Sequence, residues 1–204
     1  DFVQGDLHDT ARLIQVLKEH HITAVMHFAA FAYVGESVQD PLKYYANNVA
    51  GTLSLLQAMR AVGVQQLIFS STCAVYGTPE KLPVTEEESK KPESVYGESK
   101  LMFEKVLSWY DKIFGIKHIN LRYFNACGAA LDGSTGEEHD PETHIIPIAI
   151  RCAMTGKPFQ LFGNDYPTKD GTCIRDYIHV EDLAKAHLQA LEKLQKNPTS
   201  GSYN

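Results

Sequence analysis

QQLIFS at Gln65–Ser70, YGESKLMFEKVLSWYDKIFG at Tyr96–Gly115 and KHINLRY at Lys117–Tyr123 are the stretches that decide the fold. The outer two are short runs with apolar residues at their centres, which read as strands, the first of them buried. The middle one reads as a long helix closed by Gly115, the residue type expected where a helix ends in a left-handed turn. Strand, helix, strand in this order predicts a parallel pair joined by a helical crossover.

The same beat continues outward. Asp9 to His20 has Leu13, Val16 and Leu17 on one helical face, with Asp9 or Thr10 placed to cap it. TAVMHFA at Thr23–Ala29 is a further buried strand. Pro41 suits the start of a helix whose apolar residues recur through Leu42, Val49, Leu53, Leu56 and Met59 to Gly63. The pattern predicts an α/β fold with a Rossmann-like, doubly wound parallel sheet. Near residue 124 the rhythm stops. Asn125–Glu142 reads as a Gly-, Asp- and Glu-rich loop, Thr143–Thr155 as a helix, Phe159–Phe162 as a short strand, Gly163–Gly171 as a loop and Val180–Leu194 as a final helix. The expected division is therefore a nucleotide-binding core over residues 1–124 and a smaller substrate-binding region over 125–204 that returns one helix to the core. A doubly wound dinucleotide site needs a Gly-rich first turn. No such motif occurs, and the sequence opens at Asp1-Phe2-Val3 inside a motif, so the first βαβ unit is expected to be absent from the chain.

Composition narrows the function classes. Of 204 residues, 44% are apolar and 22% charged, as in an ordinary globular chain. Nineteen Lys and Arg against 25 Asp and Glu leave a net charge of −6, and the basic residues are dispersed, so nucleic acid is an unsuitable partner. The most apolar run, Ile22–Gly35, is too short to span a bilayer and contains His27, expected as a core-strand histidine. Cys73, Cys127, Cys152 and Cys173 lie far apart with no CxxC pair, which predicts neither a zinc knuckle nor a disulfide framework and suits a reducing, cytoplasmic setting. His139, Asp140, Glu142 and His144 are metal-ligand types, but their irregular spacing in a loop predicts no metal site, because a site needs ligands that converge.

The sharpest chemical signal is Tyr96 and Lys100. Four residues apart on a helix, they share a face. A tyrosine ordinarily titrates near pH 10, so a phenolate base at neutral pH needs positive charge beside it, which Lys100 supplies. Thr72, in SSTCAVYG at Ser70–Gly77, leaves a strand end where its hydroxyl can bond the alcohol being deprotonated. The YxxxK spacing alone also arises by chance.

Five stretches turn this into a family resemblance: HFAAFAYVGESVQDPLKYYANNVAGT (27–52), LIFSSTCAVYG (67–77), SVYGESKLMFEK (94–105), LRYFNACGA (121–129) and FGNDYPTKDGTCIRDYIHVEDLA (162–184). The sequence resembles the extended short-chain dehydrogenase/reductase family, and within it the nucleotide-sugar 4-epimerases. The resemblance implies NAD as cofactor, a UDP-sugar as substrate, Thr72, Tyr96 and Lys100 in the family's catalytic roles, and a homodimer formed through the helices of Pro41–Gly63 and Tyr96–Phe114. It implies cofactor contacts at Asp6, Leu7, Phe28, Ala29, Ala30, Phe31, Ala32, Asn47 and Phe124 besides the catalytic three. Substrate contacts are implied at Thr72, Asn125, His144, Ile145, Gln160, Phe162 and Arg175. Ala32 and His144 depart from the family, which often has Lys and Asn there. The related 4,6-dehydratases place an Asp-Glu pair after the Ser/Thr; Cys73 and Ala74 stand here, so epimerisation is the expected chemistry rather than elimination. The remaining alternatives are an epimerase of N-acetylated UDP-hexoses and a non-catalytic nucleotide-binding relative. Arg175–Asp176 reads equally as a surface ion pair, and His179 and Asp182 as anchors for the start of the last helix.

Overall fold

A computed structural model describes all residues 1–204 and divides into two units, residues 1–123 with 186–204, and residues 124–185. In the first unit, α1 (Thr10–Glu19) is capped by Asp9, whose carboxylate accepts the Arg12 amide at 2.9 Å. Strand β1 (Val25–His27) follows, then the short helices α2 (Val34–Gln39) and α3 (Pro41–Tyr44). Pro41 opens α3 and the Asp40 side chain caps it. The helix expected from Pro41 to Gly63 is not uniform: Tyr45–Gly51 forms a π-helical segment before α4 (Thr52–Val62). There the Thr52 hydroxyl donates to the Asn48 carbonyl at 2.8 Å, a side-chain bond that competes with the regular ladder and widens the turn. Gly63 closes α4 at φ 79°. Strand β2 (Gln66–Ser70), a single 3₁₀ turn (Cys73–Val75), α5 (Val95–Phe114) and β3 (Lys117–Leu121) complete the stretch that decides the fold.

The sheet of this unit is parallel, with Val25 opposite Leu67, Ile68 opposite Ile119, and Ile119 opposite Gly201 of a later strand. Alternation along β2 shows why helices cover both faces. Leu67 and Phe69 enter a core with Leu17, Leu56, Met59, Phe103 and Leu107 from α1, α4 and α5. Ile68 points the other way, to Ile119, Leu121, Ala190 and Leu194. A strand whose successive residues are all buried needs a layer on each side.

The second unit opens with β4 (Asn125–Cys127), inside the stretch expected to be loop, and continues through α6 (Ile145–Thr155) and β5 (Tyr177–His179). β4 and β5 pair in parallel, Asn125 opposite Tyr177. Unlike β1, which lies within a longer apolar run, these three-residue strands carry too little pattern to be legible in a sequence. Gly128, at φ 97°, lets β4 end against His179, whose ring lies 2.5 Å from where a Cβ would sit. The strand expected at Phe159–Phe162 does not form. No strand of the chain pairs with it, and without a ladder its apolar content cannot hold an extended strand; Phe162 is 93% exposed. Helix α7 (Val180–Lys196) begins where the His179 Nδ1 accepts the Glu181 amide at 3.3 Å. The chain ends on β6 (Gly201–Tyr203), beside β3. No helix is long and apolar enough to cross a membrane.

Candidate functional site

The carboxyl ends of parallel strands are where open α/β sheets bind ligands, and in the first unit the candidate residues gather there. Residues 28–32 leave β1, Ser71 and Thr72 leave β2, and Arg122 and Tyr123 leave β3. Gly97 lets α5 reach this edge: a Cβ on it would stand 2.6 Å from the Ala74 carbonyl oxygen, so only glycine permits so close an approach to the 3₁₀ turn. The Ser94 hydroxyl caps α5 by accepting the Gly97 amide at 3.1 Å, and the next residues carry Tyr96 and Lys100.

Lys100 is 4% exposed. Its ammonium donates to the Ser70 carbonyl at 2.8 Å and lies 4.9 Å from the Phe69 ring centroid and 5.9 Å from that of Tyr96. It faces no carboxylate, and burial pushes its pKa down to about 8. Tyr96 is pushed up to about 12, chiefly by burial, against which the Thr72 hydroxyl bond acts. The chain alone therefore leaves the phenol protonated at neutral pH, and Lys100 by itself does not supply the charge that a phenolate needs. The Ser70 hydroxyl bonds that of Tyr123.

The expected nucleotide contacts converge through a residue that sequence reasoning missed. Asn48, in the π-helical segment, accepts the Phe31 amide at 2.9 Å and donates to the Phe31 carbonyl at 3.0 Å and to the Ser99 hydroxyl at 3.2 Å. Ser99 in turn donates to the Tyr96 carbonyl at 2.7 Å. Asn47 donates to Asn48 at 3.0 Å. Asp6 bonds the amide and ring of His8, each at 2.8 Å, and the other ring nitrogen of His8 meets the Ala46 carbonyl at 3.1 Å. Leu7 packs against the main core. One hydrogen-bonded chain thus joins the loop after β1, the π segment and the start of α5, and the Asp6–His8 pair ties onto the same segment. Phe28 and Phe31 are left 56% and 37% exposed beside it. Ser37 adds a tie from α2, accepting the Tyr96 amide at 3.1 Å. A doubled asparagine is the only sequence signal for this arrangement, and it does not say which of the two points inward.

A second missed group braces the end of β2. Glu104 and Arg122 form a two-pronged buried pair, at 2.9 and 2.6 Å, and the Ser71 hydroxyl donates to Glu104 at 2.6 Å. Arg122 also donates to the Tyr76 hydroxyl at 2.8 Å, which bonds Asn204 at 2.7 Å. His27 sits in the core as expected, bonded to the Thr52 hydroxyl at 3.0 Å and pushed down to about 3 by burial.

The second unit scatters its candidates. Phe124 is its first residue. The Asn125 side chain donates to the Asp176 carbonyl at 2.8 Å, while Arg175 turns back on the Ile174 carbonyl at 3.1 Å, so Arg175 and Asp176 form no ion pair. His144 precedes α6 and Ile145 opens it. Gln160 and Phe162 lie exposed in the unpaired stretch, and no hydrogen bond links them to Arg175 or Asn125. The acidic and histidine-rich loop differs from expectation: Glu137, His139, Glu142 and His144 each bring a ligand atom within 4.8 Å of the others. Asp140 is not among them. Glu142 closes the loop by accepting the amides of Thr143 and His144, both at 2.7 Å, which returns His144 to Glu137.

A family model described as NAD dependent epimerase/dehydratase family matches residues 1–204. The UDP-glucose 4-epimerase of Lactobacillus helveticus is 52% identical over 204 residues, covering 100% of this chain and 62% of the relative. The crystal structure of UDP-glucose 4-epimerase from Brucella ovis in complex with NAD superposes with a TM-score of 0.96 at 52% identity, over 100% of this chain and 63% of that one. The epimerase of Stenotrophomonas maltophila, solved with NAD and formylated UDP-arabinopyranose, gives 0.92 at 42% identity, over 98% and 61%. The chain thus spans about three-fifths of the length of the relatives it matches.

Proposed function

Because the chain belongs to the NAD-dependent epimerase/dehydratase family, we propose that its protein interconverts UDP-glucose and UDP-galactose by transient oxidation at the sugar C4. The observation that carries this reading is the buried Lys100 ammonium beside Tyr96 and Thr72 with no carboxylate against it. Such a group costs stability and is retained where a ligand or a proton transfer needs it. It fits a dinucleotide: a buried cation donor, partly exposed aromatic side chains at Phe28 and Phe31, and a backbone pinned at Phe31 by Asn48. Lys100, Asn47 and residues 28–32 hold the cofactor in this reading, with Asp6, Leu7 and Phe124. NAD held there would supply the hydride acceptor, and later the hydride donor, for the sugar C4.

The chain's own residues handle the proton. Thr72 accepts and donates at the 4-hydroxyl and orients it. Tyr96 takes its proton as hydride leaves C4, and gives the proton back after the 4-keto sugar has turned. The phenol needs cationic charge beyond Lys100 to ionise near neutral pH, so proton abstraction waits for the loaded enzyme. Asn125, His144, Ile145, Gln160, Phe162 and Arg175 bind the UDP-sugar, with residues 124–185 as the substrate-handling region, in a cytoplasmic homodimer that binds no nucleic acid. Replacing Tyr96→Phe in the protein should lower UDP-galactose turnover by roughly 10²–10⁴-fold with NAD still bound. Turnover within tenfold of the parent would remove Tyr96 from the role.

A further inference from the structure

We propose that Glu137, His139, Glu142 and His144 form a binding site for one divalent transition-metal ion of the zinc class. The four are not joined by sequence spacing but by the fold of one loop, whose turn Glu142 sets by holding two successive backbone amides. The four ligand atoms lie within 4.8 Å of one another, and three of the four His–Glu separations are near the edge of a ligand tetrahedron. The His144 Nδ1 stands 2.7 Å from Glu137 Oε1 and 3.3 Å from Glu142 Oε1. The His139 Nδ1 stands 3.2 Å from Glu137 Oε1 and 3.5 Å from Glu142 Oε2. Tetrahedral ligands at about 2.0–2.2 Å from a zinc ion are separated from one another by about 3.3–3.5 Å. Closing the set requires the wider pairs to draw in and the 2.7 Å contact of His144 with Glu137 to open.

The hydrogen-bond geometry points the same way. The His139 Nδ1 is a buried atom that lies 3.2 Å from Glu137 and 3.5 Å from Glu142 without a well-aligned hydrogen bond to either. Its near neighbours are carboxylate oxygens, which accept and do not donate. As a bare acceptor the nitrogen therefore has no donor, and as an N–H it is misaligned with both oxygens. A cation satisfies it, because a ligating imidazole presents its lone pair to the metal. Two neutral imidazoles and two carboxylates make a mixed nitrogen–oxygen set of charge −2, which suits zinc-like ions and is a poor cage for magnesium or calcium. Glu142 is built as a supported ligand: its side chain is 2% exposed, one oxygen is fixed by backbone amides, and the other faces His139. Since His144 precedes α6, an ion here fixes the entry to that helix. The site shares His144 with the proposed UDP-sugar contacts, whereas Glu137, His139 and Glu142 have no part in that reading.

Zinc sulfate titrated calorimetrically into purified, chelator-dialysed protein tests the proposal, with zinc-edge X-ray absorption on the loaded parent. One zinc per chain is expected, undisplaced by excess magnesium, with an absorption spectrum of two imidazoles, light oxygen ligands and no sulfur. Glu137→Gln and His139→Gln should each weaken zinc at least about tenfold, since even loss of a supporting partner has that effect, while circular dichroism remains that of the parent. Absence of retained zinc in the parent overturns the site, whatever the variants do. So does sulfur in the spectrum, which would put the ion on a cysteine, or parent-like affinity in both folded variants.

Discussion

Lys100 is charged inside the first unit at a free-energy cost that its surroundings only partly offset. An unfolded lysine keeps its proton to about pH 10.5, whereas the folded one gives it up near 8. Between those values the unfolded chain binds more protons, so this group makes stability rise with pH across that window; below pH 8 its full penalty is present. A Lys100→Met variant removes the charge and keeps the stem's volume, losing one bond to the Ser70 carbonyl, worth about 1 kcal/mol. Against a burial penalty of a few kcal/mol, the variant should melt higher than the parent at pH 7, by roughly 5 °C, and the two should converge as pH approaches 10.5. Scanning calorimetry at pH 7 and pH 9.5 checks this, and a variant melting below the parent at pH 7 refutes it. A residue that the fold would be more stable without is one kept for its chemistry.

At the level of elements, the contact of α5 with the 3₁₀ turn rests on a missing side chain. Gly97→Ala sets a Cβ 2.6 Å from a backbone carbonyl that cannot swing away, so α5 must shift, at a cost of about 1–3 kcal/mol. Gly35→Ala in α2 is the matched control: nothing lies within 4 Å of its Cβ, and alanine there should be neutral or mildly stabilising. Paired thermal melts, with turnover measured alongside, should show a loss of several degrees and of activity for the first change only. The long elements of this unit are legible in the amino-acid sequence, because their burial is periodic and their ends are marked: Asp9, Pro41, Gly63 and Gly115 all stand at the helix ends that their residue types predict. β4, β5 and β6 are not, because three residues hold no period and their pairing partners lie 50 or more positions away. The apolar run at Phe159–Phe162 misleads for the complementary reason, since a strand is defined by its neighbour. Of the candidate site, Thr72, Tyr96 and Lys100 are legible as a group because a helix fixes the spacing of the last two and a strand end presents the first. Asn48, Ser37 and the Glu104–Arg122 pair are not, because each acts through a contact made only in three dimensions.

Over the whole molecule, burial is unevenly shared. Every buried residue belongs to the first unit, and no residue of 124–185 is buried as a whole. Local stability follows buried contacts, so amide hydrogen exchange in the 204-residue chain should be slowest at Leu67–Ser70 and Ile119–Leu121 and faster by orders of magnitude through residues 124–185. Mass-resolved exchange would settle it, with equal protection in the two units as the contrary result. Within the first unit the Glu104–Arg122 pair ties β2, α5, β3 and the terminal residue Asn204 through Ser71 and Tyr76. Removing either partner strands the other as a buried charge, at about 3–5 kcal/mol, whereas exchanging both for well-packed apolar groups is close to neutral. Evolution by single substitutions must cross that trough. Lineages of this family should therefore keep both charges or have lost both together, and an ancestral reconstruction carrying only one should prove a poorly folding intermediate.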